Sequence, residues 1–312
     1  MIDDGGTLYL GIEIGGTKLQ VCAGNKEAQI LERFHWEIAS AEGAGGIRRQ
    51  LSQTLPDLAQ RLRPAAVGVG FGGPVRWKTG QICCSHQIEG WSDFPLGSWI
   101  SELTGCPVFV DNDADVAALG EAIHGAGTGS NPVFYVTLGS GVGGGLVLDG
   151  KIYHGAPPGE AEIGHVRLDR SGATVESRCS GWAVDAKIRA AVAANSDGPL
   201  ARSARKVNHG EAKFLGAALT QQDPLAKAVL EETADDLAFG LSHVTHLFHP
   251  EIIVLGGGLA FVGEPLRAAV EHALRRYTME AFAPGPKVAL TQLAADAVPT
   301  GALTLAWARQ GH

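Results

Sequence analysis

Asp111, Asn112, Asp113 and Asp115 put three carboxylates and one amide into five consecutive positions of an otherwise apolar stretch. Carboxylates accept protons and hydrogen bonds, and an amide can do both jobs of a hydrogen bond. Val108–Val110 ahead of them reads as a short buried strand. Val116, Ala117, Leu119 and Ile123 behind them fall at helical spacing. The acids therefore stand at a strand-to-helix junction. A helix start needs only one such residue as its cap. The carboxyl ends of strands are also where α/β folds bind their ligands. We place function ahead of capping, with Asp113 at its centre.

A second pair, Glu162 and His165, lies three apart on a glycine-bounded loop. Glu162 can accept from two neighbouring hydroxyls and His165 can donate or accept, which suits a polyhydroxylated ligand. A structural histidine or a fragment of a metal site would use the same residues.

Glycine-rich turns make up the third group. Leu8–Ile14 is β-branched and alternating, Gly15-Gly16-Thr17-Lys18 turns it, and Leu19–Ala23 returns as a strand. The order Gly-Thr-Lys and the strand that follows separate it from a phosphate loop of the Gly-Lys-Ser/Thr type, which runs into a helix. The amides of such a turn can still cradle phosphate oxygens, and an ordinary hairpin would look the same. The pattern recurs with Val133–Leu138 as strand, Gly139–Gly145 as turn and Leu146–Leu148 as returning strand. Gly139, Gly141 and Gly144 satisfy G-x-G-x-x-G, yet a strand follows where a dinucleotide fold needs a helix, which excludes an NAD-linked dehydrogenase. Phe71-Gly-Gly-Pro-Val75 after the strand Ala65–Gly70 is a fixed turn open to a ligand. Glu251–Leu255 is a buried strand ending in Gly256-Gly257-Gly258.

Helices over 42–62, 182–194 and 224–247, and a closing helix over Gly301–Ala308, complete the framework; Trp91 in the loop Ser85–Leu96 reads as core. Two strand–turn–strand units, one opening each half, suggest two similar α/β lobes with a cleft between them. The 312 residues, 45% apolar and 19% charged, are ample for such a globular core. A net charge of −8 argues against nucleic acid. The acidic start Met1-Ile-Asp-Asp4 is unlike a signal peptide, and the uncharged run 131–148 holds five glycines, unlike a membrane span. Five cysteines without CxxC spacing point to reduced thiols in a cytoplasm.

The ordered set of motifs resembles the ROK family (repressors, open reading frames, kinases) of the sugar-kinase, actin and Hsp70 superfamily. It comprises Leu10-Gly-Ile-Glu-Ile-Gly-Gly-Thr-Lys18, Gly70-Phe-Gly-Gly-Pro74, Asp111-Asn-Asp-Ala114 with Ala118-Leu-Gly-Glu121, Thr137-Leu-Gly-Ser-Gly-Val-Gly-Gly-Gly145, Glu162-Ile-Gly-His165 and Val254-Leu-Gly-Gly-Gly258. The resemblance implies a two-lobed, actin-like and ribonuclease H-like α/β ATPase fold with a central cleft. Residues 1–113, joined by the C-terminal helix at 299–312, would form one lobe and 114–298 the other. It implies phosphorylation of a hexose or N-acetylhexosamine by ATP, with Asp113 as the base. Gly73, Asn112, Glu162 and His165 match sugar ligands. Glu13, Gly15, Gly16, Thr17 and Lys18, then Thr137, Gly139, Ser140 and Gly141, then Gly256, Gly257 and Gly258, match the ATP-binding turns. Mg2+ would lie between the phosphates, held largely through water.

Three departures stand out. Glu13 replaces the usual Asp, and Gln87 replaces an Asn. The zinc signature is absent: Ser177–Asp185 holds the single cysteine Cys179, and His165 with Cys179 cannot build a four-coordinate site. No zinc is therefore expected, with His165 held by hydrogen bonds, and Asp185 is placed as a sugar ligand or else as a solvated helix acid. A sugar-binding regulator with the fold but little kinase activity is the alternative. A hairpin starting at Leu8 leaves no room for a helix-turn-helix. The resemblance also implies a homodimer or homotetramer, and leaves glucose, fructose, allose, N-acetylglucosamine and N-acetylmannosamine open as substrates.

Overall fold

The computed structural model describes residues 6–15, 18–37, 43–84, 90–159, 161–194 and 197–310. The chain opens with β1 (Tyr9–Ile14), β2 (Lys18–Gly24) and β3 (Ile30–Glu37), followed by α1 (Gly43–Leu62). Next come β4 (Val67–Phe71), the short pair β5 (Val75–Arg76) and β6 (Gln81–Ile82), α2 (Leu96–Thr104), β7 (Val108–Asn112) and α3 (Asp113–His124). A second run of strands supplies β8 (Val133–Leu138), β9 (Val142–Leu148) and β10 (Lys151–Ile152). Helices α4 (Val175–Cys179), α5 (Gly181–Ala193), α6 (Pro199–Ala204), α7 (Leu215–Thr220) and α8 (Pro224–Phe248) follow. The chain ends with β11 (Ile252–Gly256), α9 (Glu264–Tyr277), β12 (Lys287–Leu290) and α10 (Ala297–Ala308).

These elements form two compact units. One comprises Met1–Thr128, Gly145–Glu160 and Ala295–His312; the other comprises Gly129–Gly144 and Ala161–Ala294. The expected break after Asp113 falls at the first residue of α3, which lies with the first unit. One sheet runs β3-β2-β1-β4-β7 and the other β10-β9-β8-β11-β12. The two orders are the same. In each, an antiparallel strand pair is followed by strands parallel to the first, as β1 is to β4 and β8 is to β11. The repeat read from two glycine turns is thus a repeat of whole sheets.

In the first unit the alternation of β1 sorts its two faces. Leu10, Ile12 and Ile14 pack against Ile47, Leu51, Leu55 and Leu58, which α1 presents at helical spacing. Trp91 belongs to that core, edge-on to Phe71 and Phe94 at 5.3 and 5.4 Å. Tyr9 and Cys22 turn to the other face, which Leu303 and Ala306 of α10 cover. β3 and β12 were not expected; in β3, Glu32, Arg33 and His35 break the apolar pattern that marks a strand. The second turn is also shorter than expected, because β9 starts at Val142. Gly144 and Gly145 lie inside the strand for packing: a methyl on Gly145 would sit 2.6 Å from the Ala118 methyl and 2.9 Å from the Ala114 carbonyl.

Burial pushes the Cys22 thiol up to about 12 from an ordinary 9.0. An unfolded thiol loses its proton near 9, while this one keeps it. The folded state therefore holds an extra proton between those values, and stability falls as pH rises through them. The expected slope is about 1.4 kcal/mol per pH unit for each such thiol. Urea unfolding at pH 8 and pH 10.5 measures it, and Cys22→Ala should remove this thiol's share of the difference.

Candidate active site

Three parallel strands of the first unit end level with one another, with Ile14 beside Phe71 and Phe71 beside Asn112. Each runs out into a turn that carries chemistry. After β1 the Gly15 N–H donates to the Lys18 carbonyl at 2.9 Å and closes the first hairpin. Gly16 and Thr17 of that turn, like Gln87, lie outside the described residues. After β4 the Gly72 N–H donates to the Ile14 carbonyl at 2.8 Å, tying the Gly-Gly-Pro turn to the first. After β7 comes Asp113.

Asn112 does two things at once. Its Oδ1 accepts from the Ala114 and Asp115 N–H groups at 2.8 and 3.4 Å, capping α3. Its Nδ2 donates to the Gly73 carbonyl at 3.2 Å. The cap is therefore the amide, which leaves Asp113 in the first helical turn without that duty. A methyl on Gly72 would sit 3.4 Å from Asp113 Oδ2 and 3.6 Å from the Gly15 Cα, so the carboxylate borders both turns. Glu13, one residue before the end of β1, is paired with Lys18 at 3.2 Å and accepts from Gln20.

Sequence reasoning left Asp111 without a role. It is buried, and its Oδ2 lies 2.7 Å from His154 Nε2. The His154 ring stacks on Trp77 with centroids 4.1 Å apart and planes 15° apart. No local signal marks this pair, because 43 residues separate its members.

In the second unit β8 and β11 are parallel, with Thr137 beside Gly256. The turn after β8 closes with the Gly139 N–H donating to the Gly141 carbonyl at 3.0 Å, and Ser140 is exposed on it. Gly257 has φ +77°, and a methyl there would lie 2.6 Å from the Leu138 backbone. The Gly256–Gly258 turn thus rests directly on the end of β8, beside Gly139. A residue missed by sequence reasoning, Glu176, accepts the Val142 N–H at 2.9 Å beside this turn.

Glu162 precedes and His165 ends a 3-10 turn (Ile163–His165), with Oε2 and Nε2 3.8 Å apart and side chains 48% and 72% exposed. Both are open to a ligand. Asp185 is not: it is buried, and its two oxygens accept the Ala212 N–H at 2.7 Å and the Gly210 N–H at 3.1 Å. It caps the 210–212 turn, which replaces both readings made from the sequence. Cys179 is buried against α8, its thiol 3.7 Å from the Thr233 carbonyl and pushed up by burial to about 12. A thiol so held is packed as a core residue. Among the described residues no three His, Cys, Asp or Glu side chains cluster as metal ligands, and no helix is long and apolar enough to cross a membrane.

Comparison with known proteins gives these turns relatives. The profile of the ROK family matches residues 9–309. The glucokinase of Halalkalibacterium halodurans is 30% identical over 305 residues, which span 93% of this chain and 92% of that one. A ROK family glucokinase from Streptomyces griseus, solved in complex with glucose and AMPPNP, superposes with a TM-score of 0.83 at 31% identity, covering 97% of this chain and all of that one (100%). The ROK hexokinase from Thermus thermophilus gives 0.77 at 28% identity, over 97% and 98% of the two chains. With the profile spanning both sheets and every glycine turn described above, the chain belongs to the ROK family.

Proposed function

We propose that the chain phosphorylates a hydroxyl of a hexose or N-acetylhexosamine with ATP, using Asp113 as general base. The observation that carries this is the Asp113 carboxylate at the end of parallel strand β7, bordering Gly15 and Gly72. Similarity to a ROK glucokinase solved with glucose and AMPPNP supports both the sugar and the nucleotide.

The sugar oxygen attacks the γ-phosphorus as the bond from that phosphorus to the ADP oxygen breaks. The hydroxyl proton passes to Asp113 and from there to solvent. An ordinary carboxylate is a weak base for an alcohol, but the proton becomes acidic as the new O–P bond forms. Positioning and charge stabilisation carry most of the rate. Asn112, Glu162 and His165 are the proposed hydroxyl partners, with Gly73 in the same set; Asp185 is left out because backbone amides occupy it. The proposed nucleotide set is Glu13, Gly15–Lys18, Thr137, Gly139–Gly141 and Gly256–Gly258, whose turn amides suit phosphate oxygens. Glu13 is a hard oxygen donor at the end of β1, which fits Mg2+ approached through water. When bound, that ion neutralises charge on the phosphoryl oxygens.

Asn112→Ser tests the two jobs of Asn112 separately. Serine caps a helix about as well as asparagine, so α3 should keep its stability. It is too short to reach the Gly73 carbonyl or a sugar hydroxyl. Losing such hydrogen bonds should raise the sugar KM about 5–10-fold, measured beside an unchanged melting temperature.

The reading as a whole is tested by ADP release from Mg-ATP with glucose, fructose, allose, N-acetylglucosamine and N-acetylmannosamine. Turnover with at least one is expected. No turnover with any, accompanied by thermal stabilisation by one, would replace the kinase with a sugar-binding regulator.

A further inference from the structure

Among the described residues β7 is the edge strand of its sheet, paired with β4 alone. Yet its last residues carry Asn112 and lead directly into Asp113. Side-chain bonds of Asp111 add to that pairing. Asp111 Oδ1 accepts the Asn112 N–H at 3.2 Å, and Asp111 Oδ2 meets His154 Nε2 at 2.7 Å. A carboxylate only accepts, so Nε2 carries the hydrogen. The two side chains are 2% and 7% exposed, which makes each the other's required partner. Stacking on Trp77 fixes the plane of the imidazole, and the Arg309 guanidinium carbon lies 4.9 Å from the same indole ring.

Asp111 has open space beside it. A cavity of about 210 Å³, lined by Trp77, Lys78, Asp111, Leu305 and Arg309, opens beside it. Without His154 the carboxylate can swing into that space and take up water, releasing the Asn112 amide. The segment that supplies His154 also continues in sequence to Glu162 and His165.

We propose that His154 is a positioning residue for the transfer, holding the Asn112–Asp113 turn in place through Asp111. This rests on the assignment of Asp113 as the base. A base displaced by about 1 Å can lose up to 10²-fold in rate, whereas of the proposed sugar partners only Asn112 shares the turn, Glu162 and His165 lying elsewhere. The loss should therefore fall more heavily on kcat than on KM.

The test compares His154→Ala with His154→Gln, which keeps an N–H at nearly the same reach. Both are assayed for kcat and sugar KM, and by hydrogen exchange of the amides at 112–114. His154→Ala should lower kcat about tenfold with KM within about threefold, and speed exchange at those amides. His154→Gln should restore most of both, as should adding imidazole to the alanine variant. Unchanged kcat in His154→Ala, a loss that glutamine does not relieve, or a loss with unaltered exchange would overturn the proposal. Should His154→Ala fail to fold, His154→Leu combined with Asp111→Asn removes the bond without leaving a buried charge, and the same split decides. If the unaltered protein turns over no sugar, the kinase reading fails, while exchange at 112–114 still reports whether His154 holds the turn.

Discussion

Asp113→Asn should lower kcat by about 10²–10⁴-fold while sugar affinity and melting temperature hold. The factor corresponds to about 3–5.5 kcal/mol of barrier. The structural cost is far smaller. Asp113 occupies the first turn of α3, where an acid is worth about 0.3–1 kcal/mol to the helix. The cap itself is Asn112, which the substitution leaves alone. Asparagine has nearly the shape of aspartate and cannot take the proton. ADP release at saturating sugar, with a melting curve run alongside, separates the two effects. Retention of wild-type kcat would remove Asp113 from the mechanism, whatever the sugar.

Gly301→Ala should destabilise the protein by about 1–3 kcal/mol or more, against the usual trend for a helix. Alanine within a helix ordinarily gains about 1 kcal/mol over glycine. Gly301 lies within α10, but a methyl there would come 1.8 Å from the Val116 carbonyl oxygen of α3. Gly120 of α3 answers it, since a methyl there would lie 2.5 Å from the Ala297 carbonyl. The two backbones are in contact, and no side chain can move aside to make room. The clash therefore outweighs the propensity, and one helix must shift. Because α3 begins at Asp113, the variant should lose activity as well as stability. Gly45→Ala in α1 is the control: its nearest neighbour is the Arg49 guanidinium at 3.8 Å, so there propensity wins and stability should rise. Denaturant unfolding of both variants measures the contrast in sign.

What the sequence revealed was local chemistry. The strand ending in Asp111–Asp113, both glycine hairpins and the Gly256–Gly258 turn are short patterns whose meaning depends on neighbours along the chain. The long helices were legible from periodicity, as Ile47, Leu51, Leu55 and Leu58 show. The misreadings have a common cause. Gly144 and Gly145 read as a turn because glycine has two uses, and close packing inside a strand leaves no mark in one sequence. Asp185 reads as a sugar ligand or a solvated helix acid because nothing local announces the amides of Gly210 and Ala212 that occupy it. His154 passed unnoticed for the same reason: its partner is distant in sequence and its stacking on Trp77 is a fact of three dimensions.

The way the chain is threaded between the two units has a consequence for its synthesis. Between Met1 and His312 the chain passes from one unit to the other at 128/129, 144/145, 160/161 and 294/295, so neither unit is a continuous piece. One face of the first sheet is covered by Leu303 and Ala306, which are made long after the strands they cover. A ribosome translating from the N-terminus delivers β1, β4, β7 and α3 long before α10. Tyr9, Cys22 and Ala66 must then wait uncovered, and the turn bearing Asp113 settles against its full support only once α10 has emerged.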